Sequence, residues 1–196
     1  MVGRHLLCAA LLGAAFIAAP VRAQNTLSNE IYIEQDGSDN ELTVDQSQAQ
    51  FATVTGFSEA GAGASELSAA LQTGDGNTAA IDMIGGASSA PLLVELSQEG
   101  DFNKGTLEVN GFNSRAGLQQ IGDENIGAVR VNGDNLSGTL IQRGDNNNVA
   151  LNVDASTDAN ITYEVVGSGV TTANPASIVT NSGGSITIRQ SVIGGN

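Results

Sequence analysis

Asp39, Asp75, Asp101, Asp123 and Asp145 sit in or beside glycine-containing turns, a placement that invites comparison with calcium sites. Calcium takes about six to eight oxygens from one closely shaped loop. The Gly-Gly-x-Gly-x-Asp nonapeptide of calcium β-rolls is absent, and so is any EF-hand loop. Ordinary turn chemistry is therefore the expectation for these aspartates. Glu108 and nearby Asp101 can be drawn as a glycosidase pair, which needs two carboxylates at a set separation, one with a raised pKa. With 21 acidic residues such pairs arise by chance, and nothing in the sequence marks a cleft around this one. The expectation is a chain that is not an enzyme and carries no metal and no cofactor.

The remaining chemistry is thinned further by the N-terminus. Arg4 and His5 precede an apolar stretch from Leu6 to Ala19, and Val21 and Ala23 are small residues around a cleavage-type site. That pattern predicts a secretory signal peptide over residues 1–23, with the exported chain starting at Gln24. Cys8 and His5, the single cysteine and single histidine, leave with it. Disulfides, thiol nucleophiles, histidine bases and Cys/His zinc sites are then excluded. No later segment is apolar enough to cross a membrane. Without Arg4 and Arg22 the 7 cations fall to 5 against 21 acids, so the net charge moves from −14 to −16. Such a chain repels nucleic acid and anionic membrane surfaces.

Amides at fixed spacing are what stand out. The pattern Gln-x-Gly-x-x-Asn occurs as Gln35-Gly37-Asn40, Gln72-Gly74-Asn77, Gln98-Gly100-Asn103, Gln120-Gly122-Asn125 and Gln142-Gly144-Asn147. The last three are spaced by 22 residues, and the earlier intervals are 37 and 26. Gly111 and Gly133 mark a half-period of 11 within the regular part. Each unit thus reads strand, turn, strand, turn, and repeats of this kind stack into solenoids. Arg143-Gly144-Asp145, which looks like a cell-adhesion tripeptide, falls inside one turn and is read as turn chemistry.

Alternation between the turns tests the strands, because a strand places every second residue on one face. Ile33, Ala70, Leu96, Leu118 and Leu140 stand two before each Gln; Val44, Ile81, Leu107, Val129 and Leu151 stand four after each Asn. Leu42, Ala79, Gly105, Gly127 and Val149 form a third apolar or small column two after each Asn. Out of phase lie Asp45, Asp82, Glu108, Arg130 and Asn152, the wet face. The motif Gln and Asn share the apolar parity and point inward. Buried amides are expensive unless paired, and stacked copies can pair from rung to rung as ladders. The fold expected is an all-β solenoid of five or six rungs over residues 24–153, interrupted by an insertion at 47–71. Residues 154–196 read as a degenerate C-terminal repeat: Asp154–Ser185 as a degenerate rung or loop, Ile186–Gln190 as a terminal strand.

The Gln-x-Gly-x-x-Asn pattern at this period, behind a signal peptide, resembles the curlin repeat from about Asn29 to Val153. The fuller curlin pattern adds a Ser six before the Gln and a second Gln eleven after it. Ser114 matches the first and Gln46 the second, whereas Met83, Val109, Val131 and Val153 replace the second Gln elsewhere. The resemblance implies a subunit of an extracellular amyloid fibre on a Gram-negative bacterium, serving adhesion and biofilm. It further implies as partners other copies of the chain, a second curlin-type subunit, and the export and assembly proteins of the outer membrane. Major and nucleating subunits are not separated by these residues. The rival expectation is a monomeric secreted solenoid, an adhesin or binding module, with 47–71 and 154–185 capping its ends.

Overall fold

In the computed structural model, the structure describes residues 29–57, 68–87, 90–155, 158–172, 176–180 and 183–192. The expected signal peptide at 1–23 lies outside the described residues, as do parts of the segments 47–71 and 154–196. Two parallel sheets face each other across a thin core. On one, sheet A, lie β1 (Glu30–Ile31), β2 (Ile33–Asp36), β4 (Ala52–Thr55), β5 (Ala70–Thr73), β7 (Leu92–Glu99), β9 (Arg115–Ile121), β11 (Leu136–Arg143), β13 (Ala159–Val166) and β15 (Gly184–Ser191). On the other, sheet B, lie β3 (Glu41–Ala49), β6 (Thr78–Gly85), β8 (Lys104–Gly111), β10 (Ile126–Asn132), β12 (Asn148–Ala155) and β14 (Ala176–Thr180). The chain alternates between the sheets, so the molecule is a β-solenoid of about six turns.

The register shows why the columns read in the sequence stay inward. Leu118 pairs with Leu96 and Leu140, Val129 pairs with Leu107 and Leu151, and Gln120 pairs with Gln98 and Gln142. Leu96, Leu107, Leu118 and Leu140 are fully buried, and Val129 and Leu151 very nearly so. Each such side chain contributes about 1.5–3 kcal/mol of burial. No single rung could cover it alone; the neighbour above and below does. Gly127 leaves the space that its column needs, because a Cβ there would lie 2.8 Å from the Leu118 side chain.

The irregular intervals have two separate causes. Between Gln35 and Gln72 the sheet A strand is split: β4 continues the first half of β7, β5 continues the second half, and the chain leaves the sheet between them. Part of the segment 47–71 therefore belongs to the second rung. Phe57, just after β4, lies against Gly117 on the outer face of sheet A. Between Gln72 and Gln98 the extra residues widen the turn from Gly85 to Pro91, closed by a bridge between Ala87 and Ala90.

Of the two expectations for Asp154–Ser185, the rung is what forms. β13 pairs with β11 through eight residues and with β15 through eight more. Ile161, Tyr163 and Val165 are buried, and β14 stacks on β12. The described parts of 47–71 and 154–185 lie within or beside the rungs.

Candidate functional site

Gln72, Gln98, Gln120 and Gln142 are fully buried, one above another on sheet A, with Gln35 half-buried on the first rung. Each amide nitrogen donates to the next amide oxygen: Gln35 Nε2 to Gln72 Oε1, Gln72 to Gln98 at 2.7 Å, Gln98 to Gln120 at 2.8 Å and Gln120 to Gln142 at 2.9 Å. The other hydrogen of the same nitrogen crosses the core to sheet B. Gln98 Nε2 reaches Thr78 O at 3.1 Å, Gln120 Nε2 reaches Lys104 O at 3.2 Å, and Gln142 Nε2 reaches Ile126 O at 3.0 Å. Both amide hydrogens of Gln72, Gln98, Gln120 and Gln142 are thus used inside the core, where an unmade bond costs about 1–3 kcal/mol. The chain of donors runs one way, toward the C-terminal rungs.

A second ladder runs through the turn that follows. Asn40, Asn77, Asn103, Asn125 and Asn147 are all buried. Each Oδ1 accepts the main-chain N–H of the residue one rung on: Asn77 N at 2.9 Å, Asn103 N at 3.0 Å, Asn125 N at 3.0 Å, Asn147 N at 3.1 Å and finally Val170 N at 3.0 Å. Nδ2 of Asn40, Asn77 and Asn147 bonds the glycine carbonyl of the next turn. These asparagines cap one rung and dock the next.

Gly37, Gly74, Gly100, Gly122 and Gly144 form the third column. Their φ angles, 118°, 108°, 111°, 113° and 112°, lie in the region that favours glycine. The turns are also stacked too closely for a side chain. A Cβ on Gly122 would sit 2.5 Å from the carbonyl oxygen of Gly144, and the other four positions are at least as tight. Sheet position and glycine are therefore chosen together.

The turn aspartates correct the local-turn expectation in their partners. Asp75, Asp101, Asp123 and Asp145 do not bond their own turn; each Oδ1 accepts a main-chain N–H from the preceding rung, at 2.7–3.0 Å. Left-handed backbone falls one residue later, at Phe102, Glu124 and Asn146, and at Asp39 in the first turn, where Ser38 holds the bonded position. This ladder was visible as an Asp column at the Gly spacing, but its direction depends on how adjacent turns stack. Sequence spacing alone does not contain that. No group of three or more His, Cys, Asp or Glu side chains among the described residues is placed to hold a metal ion.

Other residues weighed for chemistry are held in structural pairings. Glu108 bonds Arg130 at 2.6 Å, and Asp101 serves the turn ladder. A shallow cleft beside β13 is lined by residues including Asn113, Arg115, Asn135 and Asp158, and touches neither. Arg143 ends β11, Gly144 makes the tight turn and Asp145 accepts from Asp123. The position least legible beforehand is Glu95. It has outward parity yet is 3% exposed, and Arg115 forks onto its Oε2. What the site can do is present paired amides along one axis, with end strands that have one neighbour among the described residues. Comparison with protein-family models, with curated proteins and with solved structures found no match, so the resemblance to the curlin repeat rests on the motif and its spacing.

Proposed function

We propose that this chain is a structural subunit of an extracellular, curli-type amyloid fibre, built by stacking copies along the solenoid axis. One observation carries the reading: the buried amide ladder runs from Gln142 up to Gln35, on a strand with a neighbour on one side only. The described end strands β1, β2, β3, β14 and β15 likewise each have one neighbour. Exposed edges with unpaired N–H and C=O groups recruit further strands. An edge that also offers Gln35 and Asn40 in register supplies the side-chain half of a cross-β contact. Secretion, outer-membrane assembly proteins, a second curlin-type subunit and a role in adhesion and biofilm accompany this reading through the resemblance and the N-terminal leader. No catalysis, cofactor or metal belongs to it.

The test is thioflavin-T kinetics on the chain from Gln24 onward, diluted from denaturant with and without sonicated seeds, followed by fibre diffraction. A seeded rise with reflections near 4.7 Å and about 10 Å is the expected result. A flat trace over days from a compact, β-rich monomer overturns it and favours the monomeric binding module.

A further inference from the structure

The described strands do not fill the two sheets equally. Sheet A has seven levels, counting the split pairs β1–β2 and β4–β5 once each, and sheet B has six. At the first end β1–β2 and β3 close one complete turn. At the last, β15 extends one strand past β14. The described stack is therefore six and a half turns, and its two ends differ by half a turn.

Resting on the fibre reading above, we propose that copies meet head to tail with each copy turned half a revolution about the solenoid axis. The next copy's β1–β2 then lies on β14, and its β3 lies on β15. Docking without the rotation puts β1–β2 on β15 and leaves a strand position empty on sheet B. The edges of β14 and the incoming β3 would then stand about two strand spacings apart, roughly 9.6 Å, with their backbone groups unpaired. The half-turn closes both edges.

The side chains suit this register because the two halves of each rung are equivalent at the 11-residue half-period. Facing Ile186, Ile188 and Gln190 on β15 come Leu42, Val44 and Gln46 of the next copy. Gln46 is the motif-type glutamine of the sheet B strands, and its side chain turns toward Met83 in the inward column. Gln190 already accepts from the Tyr163 hydroxyl at 2.6 Å, leaving its Nε2 to continue the one-way donation along the axis. On the other sheet Ile33 meets Ala176. Gln35 meets Ile178, losing one amide contact while keeping its bond to Gln72.

Charge selects head to tail over the alternatives. β1, β2 and β3 carry Glu30, Glu34, Asp36, Glu41 and Asp45 with no Lys or Arg, so two such ends repel. β14 and β15 carry no acid and one cation, Arg189, 67% exposed and paired with Glu164 at 3.2 Å. In the half-turn register Arg189 stands directly beside Asp45 of the next copy. Without rotation it stands beside Glu34.

That difference is the test. In the chain from Gln24 onward, which contains no cysteine, single-cysteine variants Arg189→Cys and Asp45→Cys are mixed, grown into fibres under reduction, then oxidised. A second mixture uses Arg189→Cys with Glu34→Cys. Neighbouring strands bring Cα atoms to about 4.8 Å, within disulfide reach. The expected result is at least about tenfold more 45–189 than 34–189 dimer, a discrimination of about 1.4 kcal/mol. Equal or reversed yields, or neither dimer inside established fibres, overturn the half-turn contact. Failure to form fibres at all overturns the fibre reading instead. As a second measurement, Arg189→Glu should slow seeded elongation several-fold and Asp45→Lys in that background should restore it. Restoration by Glu34→Lys in place of Asp45→Lys overturns the assignment.

Discussion

The rungs built on β9–β10 and β11–β12 and the rung built on β13–β14 have the same backbone and different interiors. In the first two, Gln120 and Gln142 hold the ladder and Asn125 and Asn147 cap the turns. In the last, Val165 takes the Gln position and Val170 the Asn position, both buried. Pairing nevertheless runs without a slip from Leu136↔Ala159 to Arg143↔Val166. Tyr163 fills the Leu140 column and Ile161 the Gly138 column. Register therefore comes from the apolar alternation and the glycine turn, which both regions share. The amides add a condition that apolar residues do not: a rung with Gln demands Gln, or a substitute donor, next to it. At the far side of the break that substitute is the Tyr163 hydroxyl, which burial holds in its protonated form by raising its pKa.

The comparison breaks most visibly at Gln120. Gln120→Ala leaves Gln142 Oε1 buried without its donor and opens a cavity, so it should cost about 4 kcal/mol, read as a shift in denaturant midpoint. It should also lengthen the lag and slow fibre elongation; unchanged growth rates would count against amide pairing as the templating chemistry. Val165→Gln, the reverse change in the last rung, should also destabilise, by about 1–3 kcal/mol, because Gln142 Nε2 and Gln190 Oε1 already have partners and the new buried amide is left unpaired. Equal and opposite effects at the two sites would show that the last rung is merely a ladder with one piece missing. Turn glycines sharpen the same contrast at lower amplitude. Gly122→Ala adds strained backbone and a Cβ 2.5 Å from a carbonyl oxygen, about 3 kcal/mol in all. Gly169 has φ 72° but nothing within 4 Å of a Cβ, so Gly169→Ala should cost only about 1 kcal/mol. Thermal unfolding of the two variants separates stacking from strain.

These differences also explain what could be read in advance. The columns Ile33–Leu140, Leu42–Val149 and Val44–Leu151, the glycine turns and the two-strand rung follow from period and parity, which local sequence carries in full. The last rung is less legible in the sequence because its marks are Val165, Gly167 and Val170. A search keyed to Gln and Asn passes over them, although Ile161, Tyr163 and Val165 alternate as any inward face does. The split of the second rung into β4 and β5 is a tertiary choice, since β7 offers a template to both pieces and the residues between can leave the sheet. Glu95 is the clearest loss. Its parity says solvent, and its pairing with Arg115 is what makes burial tolerable.

The outward column of sheet B gives the smallest effect and the one with a pH signature. Asp45, Asp82 and Glu108 stand on consecutive rungs, one strand spacing apart, before Arg130 ends the run of like charge by pairing with Glu108. Asp82 lies between two acids, and desolvation, then Asp45, then Glu108 raise its pKa above 3.8. A pKa raised by folding means that the folded state binds this proton more tightly than the unfolded chain does. The stabilisation is fully present below the unfolded value, near 3.8, and is lost as pH rises through the raised folded value. At neutral pH, then, Asp82 is charged at a net cost, and Asp82→Asn should raise stability by a few tenths of a kcal/mol, the scale of unfavourable like-charge neighbours across strands. The gain should vanish at acid pH, where the wild-type carboxyl is protonated, and shrink at high salt. A variant whose advantage grew as the pH fell would show that Asp82 is held by a favourable partner, and that the column Asp45–Asp82–Glu108 is a binding arrangement and not a repulsive one.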